Sequence, residues 1–352
     1  MHPDTKTFII LSPGFPADEA DTTCLPAQQQ FVQNLQEVFP LLNIIVLSFQ
    51  YPFIRSAYSW KNVQVISFNG RNKGGLGRVH LWYKVRKKLA SLHRTQSISG
   101  IFSFWCTECA LVGDHFAKKH KLAHFTWILG QDAKKDNKFV RFIQPQPFSL
   151  VAMSDFLADE FEKNHGIRPQ HVIPNGIDER WFARSSEERA IDVLGAGSLI
   201  PLKQYAIFID VIAEAKRKFS RIKAVICGKG PEESSLQSQL QSLKLESNVS
   251  FAGEQQHPEV LKKMQRTKVF LHPSNYEGFS TVCLEALYAG AHVISFCKPM
   301  KKDIAHWHIV KNKEEMIEKL IELLSQSLDH RGVMPYAMKD VVTGVMELFG
   351  VG

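Results

Sequence analysis

The 352-residue chain has no run of ~18 apolar residues, so it offers no transmembrane helix. It has no low-complexity tract. Its start, MHPDTKTFIILSPGF, lacks a basic n-region and a cleavage site after an apolar core. It reads as a first β-strand, not as a signal peptide. Cysteine is sparse: Cys24, Cys106, Cys109, Cys227, Cys283 and Cys297, most in apolar contexts that suit a reducing cytoplasm. Cys106-Thr107-Glu108-Cys109 is a lone C-x-x-C. Zinc needs further ligands, no second C-x-x-C follows, and a thioredoxin-like frame is missing, so these thiols read as helix packing. The fourteen histidines form no H-E-x-x-H or comparable pattern, and no metal site is expected. Gly195-x-Gly197 lacks the third glycine and distal acid of a dinucleotide fingerprint, which argues against an NAD enzyme.

What is present is enough chain for about two domains. Charge is divided unevenly. Residues 1–170 hold 20 Lys or Arg against 13 Asp or Glu, and residues 171–352 hold 23 against 22, so nearly all of the net +8 lies in the first half. The densest stretch, 71–94, places Lys84, Arg86, Lys87 and Lys88 on a helix with Leu81, Trp82, Val85 and Leu89. A basic amphipathic segment with aromatics suits an anionic membrane surface. It also suits an acidic glycan or nucleic acid, or simply a solvated helix face. Gly74-Gly75-Leu76-Gly77 follows no clear strand and reads as a mobile loop.

Strand-like and helix-like segments alternate. Phe8–Leu11, Ile44–Leu47, Val63–Phe68, Gly100–Phe104, Phe125–Leu129 and Ser149–Ala152 read as strands. The pattern restarts after residue 170 with Ile191–Leu194, a helix near Tyr205–Lys218, Ala224–Cys227, and Val249–Phe251. Strands separated by helices imply parallel sheets. The Gly/Pro cluster at His165–Asp178 marks the break. The expected organisation is an α/β protein with a first domain at 1–168, a second at 169–335, and a last helix at 336–352 that returns to the first.

Residues 273–290, PSNYEGFSTVCLEALYAG, carry the most chemistry. Glu277 precedes Gly278-Phe279-Ser280, and Glu285 follows within an apolar helix. Two glutamates eight apart are ordinarily inert surface residues. Here Val269-Phe270-Leu271 reads as a buried strand before them and His292–Phe296 as the next one, so they belong to a strand–loop–helix–strand unit. Open α/β sheets bind ligands in such loops, and a glycine turn running into a helix offers free N–H groups to phosphate.

In order, Ser154, Ile173-Pro174-Asn175-Gly176-Ile177-Asp178, Gly195–Leu199 with Lys203, Gly228-Lys229-Gly230-Pro231, Phe251-Ala252-Gly253 and Glu277 to Glu285 form a set. With it the chain resembles the GT-B glycosyltransferases of retaining family 4 (group 1). The resemblance implies two Rossmann-like domains with parallel sheets facing a central cleft. It implies transfer of a sugar, with retention, from a nucleotide-sugar donor to a glycan or lipid-linked acceptor. It implies no metal cofactor, and no nucleic acid partner is expected. Carried over by position, Lys203 contacts the diphosphate and Glu285 the ribose. Glu277 and the backbone of Gly278, Phe279 and Ser280 hold the sugar and phosphates. Ser198 and Gly228 lie in the donor loops, and Gly14 lets the first domain's backbone approach the phosphates. Asp132 is the carboxylate to watch as a base or acceptor ligand, with a helix N-cap as its ordinary alternative.

Three departures stand out. Ser198 occupies a place where the family usually has arginine. Leu129 stands where it often has histidine, leaving Gln131 or Asp132 for polar contacts. Lys298-Pro299 replaces a Gly-Gly turn, and Lys298 either compensates for Ser198 or is a surface lysine. The reading is a cytoplasmic transferase, peripheral at the inner membrane face, in cell-surface polysaccharide or glycolipid assembly. The rivals are a GT-B-fold nucleotide-sugar 2-epimerase and a non-catalytic nucleotide-sugar-binding scaffold.

Overall fold

The computed structural model describes residues 6–182 and 188–351. Residues 1–5, which begin the segment read above as no signal peptide, residues 183–187 and the last position of the expected C-terminal helix, residue 352, lie outside them. The chain divides into two units, Met1–Gly176 with Met338–Gly352, and Ile177–Ala337.

Unit 1 runs β1 (Lys6–Gly14), α1 (Pro26–Val38), β2 (Asn43–Tyr51), β3 (Ser56–Trp60), β4 (Val63–Ser67), α2 (Gly75–Thr95), β5 (Ser97–Phe104), α3 (Glu108–His120), β6 (His124–Ile128), α4 (Phe139–Ile143), β7 (Leu150–Ala152), α5 (Asp155–His165) and β8 (His171–Val172). The sheet order is β3-β4-β2-β1-β5-β6-β7-β8. Phe8 to Leu11 are fully buried, as a central parallel strand covered on both faces requires. The expectation of parallel strands needs one correction. Edge strand β3 runs antiparallel to β4, with Trp60 opposite Val63. The two residues between them, Lys61 and Asn62, have φ of 45° and 67°. That is a two-residue hairpin turn with positive φ at both positions. It carries no glycine, so its signal is faint.

Two further expectations change. Strand β8 pairs with β7, so residues 169–176 belong to the first unit, and the boundary falls at Gly176/Ile177 instead of 168/169. Gly75–Gly77 do not form a loop. They open α2 behind Gly74 at the N-cap, in a helix that buries Leu81, Val85, Leu89 and Leu92.

Unit 2 runs β9 (Ile191–Ala196), α6 (Tyr205–Lys216), β10 (Ala224–Cys227), α7 (Glu233–Ser242), β11 (Val249–Gly253), α8 (His257–Gln265), β12 (Thr267–His272), α9 (Thr281–Tyr288), β13 (His292–Ser295), β14 (Trp307–Ile309) and α10 (Lys313–Leu324). Its order is β11-β10-β9-β12-β13-β14, and every pairing among its described residues is parallel. One core packs Phe208, Ile209 and Ile212 of α6 with Met316 and Leu320 of α10. From β9 the chain builds outward through β10 and β11, then returns to lay β12 on β9's other side. The loops after β9 and β12 therefore diverge at a topological switch point, where open sheets take ligands.

The last helix, α11 (Met338–Leu348), belongs to unit 1. The Phe349 ring beyond it lies edge-on to Phe8 and Phe125, each at 4.8 Å. A Cβ on Gly100 would come within 2.2 Å of that ring, so glycine there makes room for the anchor. Among the described residues no helix is long and apolar enough to cross a membrane.

Candidate functional site

The loop after β9 is held against the loop after β10. Gly197 N–H donates to Cys227 O and Leu199 N–H to Lys229 O, each at 2.9 Å. Gly228 makes this possible. Its φ is +144°, and a Cβ there would be 1.9 Å from Gly197 O. This glycine is required by the approach of two backbones. The chain then makes a 3-10 turn at Pro201–Lys203 that aims Lys203 toward the next loop.

That next loop follows β12 and is tied back to the first. Ser274 Oγ–H and Asn275 N–H both donate to Leu202 O at 3.1 Å. The tie brings Glu277 onto Lys203, and Lys203 Nζ donates to Glu277 Oε1 in an ion pair. His272, the last residue of β12, donates from Nε2 to the same oxygen at 2.8 Å. Ser280 Oγ lies 3.3 Å from that nitrogen. Ser280 is also the N-cap of α9, and the Phe279 ring is buried edge-on to Trp307 and Tyr336. The phenyl group anchors the turn. What residues 278–280 can offer a ligand is backbone at the positive end of a helix.

Burial alone would raise the Glu277 carboxyl. The His272 hydrogen bond and the His272 and Lys203 charges outweigh burial and hold it at about 2. Burial also pushes His272 below its ordinary value. Near neutral pH its ring is therefore a neutral donor, and the charge that faces Glu277 is the Lys203 ammonium. Both of these bonds fall on Oε1.

Glu285 projects from the middle of α9 and is 5% exposed. Its Oε1 accepts from His257 Nε2, at the start of α8, at 2.7 Å. The Trp181 ring packs on His257 with centroids 5.3 Å apart. Each glutamate of the pair thus has its own histidine. Neither histidine was singled out from sequence. His272 had a readable signal, a strand-end histidine five residues before Glu277. His257 had none, because only the packing of α8 on α9 brings it to Glu285.

Lys203, Glu277, Gly278, Phe279 and Ser280 lie in the loops at the switch point of unit 2, and Gly228 lies in the β10 loop held against them. Ser198 is in the same β9 loop and is exposed. Gly14 and Asp132 belong to unit 1. Gly14 ends β1, the central strand at that sheet's own switch point. A Cβ there would meet Tyr51 Cβ at 3.5 Å, an ordinary contact, so the local backbone itself tolerates a side chain. Asp132 lies inside the 3-10 turn Gln131–Ala133, so it does not cap a helix. Its Oδ2 accepts from Cys106 N–H and its Oδ1 from Gly130 N–H, both at 2.8 Å, and Leu129 N–H donates to Oδ1 at 3.1 Å. Burial raises its carboxyl to about 6 against the lowering effect of those amides. Lys298 pairs with Asp303 at 2.5 Å within its own loop. Cys106 and Cys109 are buried free thiols whose pKa burial pushes well up. Among the described residues no group of three or more His, Cys, Asp or Glu could hold a metal ion.

Residues 178–340 match the family model described as glycosyl transferases group 1, so the resemblance read from the motifs holds over that segment. The chain is similar to the phosphatidylinositol N-acetylglucosaminyltransferase gpi3 subunit of Schizosaccharomyces pombe. They are 24% identical over 204 residues, which cover 55% of this chain and 45% of that protein. It is also similar to the 2-deoxystreptamine N-acetyl-D-glucosaminyltransferase of Niallia circulans, 28% identical over 180 residues that cover 51% of this chain and 43% of that one. The chain therefore spans less than half the length of either relative. Among solved structures, Anabaena HepE in complex with UDP and glucose superposes with a TM-score of 0.72 at 16% identity, over 98% of this chain and 99% of that one. This likeness shows the fold: two parallel-sheet α/β domains of the GT-B kind.

Proposed function

We propose that the chain is a retaining glycosyltransferase that moves a sugar from a nucleotide-sugar to a glycan or lipid-linked acceptor in cell-surface polysaccharide or glycolipid assembly. The observation that carries this reading is the Lys203–Glu277–His272 cluster at the switch point of unit 2, next to the α9 N-terminus. A donor diphosphate carries negative charge that grows as the sugar–oxygen bond breaks. Lys203 and the leading amides of α9 are placed to stabilise that charge, so the reading calls for no metal. Glu277, kept ionised, accepts sugar hydroxyls, and Glu285, oriented by His257, accepts those of the ribose.

In the transfer itself the acceptor hydroxyl attacks on the face from which the diphosphate departs, and its proton passes to the leaving phosphate. Asp132 and Gly14 are the unit 1 residues assigned to acceptor and phosphate contacts. The basic helix α2 suits an anionic membrane surface near a lipid-linked acceptor. The histidine–carboxylate contact favours one second reading, a nucleotide-sugar 2-epimerase that uses His272 and Glu277 as an acid–base set.

The test is incubation with a panel of nucleotide-sugars, headed by UDP-sugars. Slow release of nucleotide supports the transferase, and interconversion of donors supports the epimerase. Binding without turnover would leave a scaffold and overturn both.

A further inference from the structure

At the β3 edge of the unit 1 sheet, a cavity of about 460 Å³ lies between the β3–β4 hairpin and α2. Lys84, Lys87, Lys88 and Ser91 line one wall, and their i, i+3, i+4, i+7 spacing puts them on one helix face. Arg55, Ser56 and Ala57 at the start of β3 form the facing wall, and Ile66, Ser67 and Phe68 at the end of β4 the floor. No carboxylate lines it. Arg55, Lys84, Lys87 and Lys88 have no ion-pair partner among the described residues. The sequence explains why. Between Glu37 and Glu108 there is no Asp or Glu at all, against ten Lys or Arg.

Like charges three and four apart repel along a helix. Four such side chains around one concavity, with hydroxyls among them, have the charge and the donors to take an anion. The number of donors suits a phosphate group, which presents several acceptor oxygens at once and can take a guanidinium bidentately. Phe53 and Ile54, just before Arg55, are 50% and 66% exposed and put apolar surface at the rim.

We propose that this cavity is a phosphate-binding site that takes the phosphate ester or diphosphate of a ligand distinct from the donor of unit 2. The shared chemistry is a dianionic phosphate, and its source is either a lipid headgroup or a soluble phosphorylated sugar. The proposal does not depend on donor binding in unit 2, since none of the residues named belongs to the Lys203–Glu277–Glu285 site.

The test uses inorganic pyrophosphate and the full chain carrying Lys203→Gln, which removes the phosphate partner of unit 2. Calorimetry should show pyrophosphate binding to this protein. Adding Lys84→Gln and Lys88→Gln should weaken it about tenfold or more, since a hydrogen bond to a charged group contributes about 1.5–3 kcal/mol. Arg55→Gln, on an exposed edge, gives the same readout without touching α2, should the double change disturb the helix. Vesicles of phosphatidylcholine with and without phosphatidic acid then separate the sources. Displacement of pyrophosphate only by the phosphatidic acid vesicles assigns a lipid headgroup, and lack of displacement assigns a soluble ester. Absence of binding, or equal binding by all variants, overturns the site.

Discussion

Glu277→Gln isolates the charge at the centre of the site. The change keeps the shape and an acceptor at Oε1 and removes the carboxylate. In the native fold His272 and Lys203 hold this carboxyl at about 2, against an ordinary 4.5. That difference corresponds to roughly 3 kcal/mol. Solvent reaches the pair, whose side chains are 20% and 15% exposed, and lowers the expected loss to about 1–3 kcal/mol. The sign is fixed by linkage. A carboxyl whose folded value lies below its unfolded one contributes fully above about pH 4.5, and the contribution fades as pH falls toward 2. The native protein should therefore exceed the variant in stability at pH 7, and the gap should close below pH 4.5. Hydrogen exchange of the β12 amides reads this for unit 2 alone, which matters because two units need not unfold together. A gap that stays constant from pH 7 to pH 3 would refute the account of Glu277.

Three other outcomes follow from named contacts. Gly228→Ala puts a methyl group 1.9 Å from Gly197 O in a backbone conformation that disfavours a side chain. Unit 2 should lose about 2–4 kcal/mol in urea titration, with donor affinity falling alongside. Phe349→Ala removes the half-buried ring beside Phe8, Phe125 and Gly100 and should cost unit 1 about 1–3 kcal/mol, seen as increased exchange in β1 and β5. Cys106 and Cys109, buried with raised thiol values, should stay unmodified by a thiol reagent at neutral pH in the native state and react only on unfolding.

The sheets were legible where burial is continuous. Phe8–Leu11, Ile44–Leu47 and Val269–Leu271 are unbroken apolar runs, and they are the inner strands of the two sheets. Three of the four edge strands were not. Strand β3 reads SAYSW, with exposed and half-buried positions, and β8 and β14 are two and three residues long. Such strands exist because a neighbour supplies hydrogen bonds, and composition does not record that. The unit boundary shifted for the same reason, since β8 was invisible. At the site, Glu277, Glu285 and Lys203 could be picked out by their places in ordered motifs. Their histidine partners could not, because a histidine becomes informative only when another element brings a carboxylate to it. Gly228 was read as a ligand contact, and the fold adds a steric requirement that spacing cannot show.

The central claim is that the switch-point loops of unit 2 hold a nucleotide-sugar through Lys203, Glu277 and Glu285. Equilibrium titration of UDP and UDP-sugars against the native chain, Glu285→Ala and Glu277→Ala tests it most directly. The account predicts that Glu285→Ala weakens both UDP and UDP-sugar binding, by about tenfold or more. It predicts that Glu277→Ala leaves UDP binding closer to native while lowering turnover of the UDP-sugar. Native affinity and turnover in both variants, for a ligand the native chain binds, would contradict it.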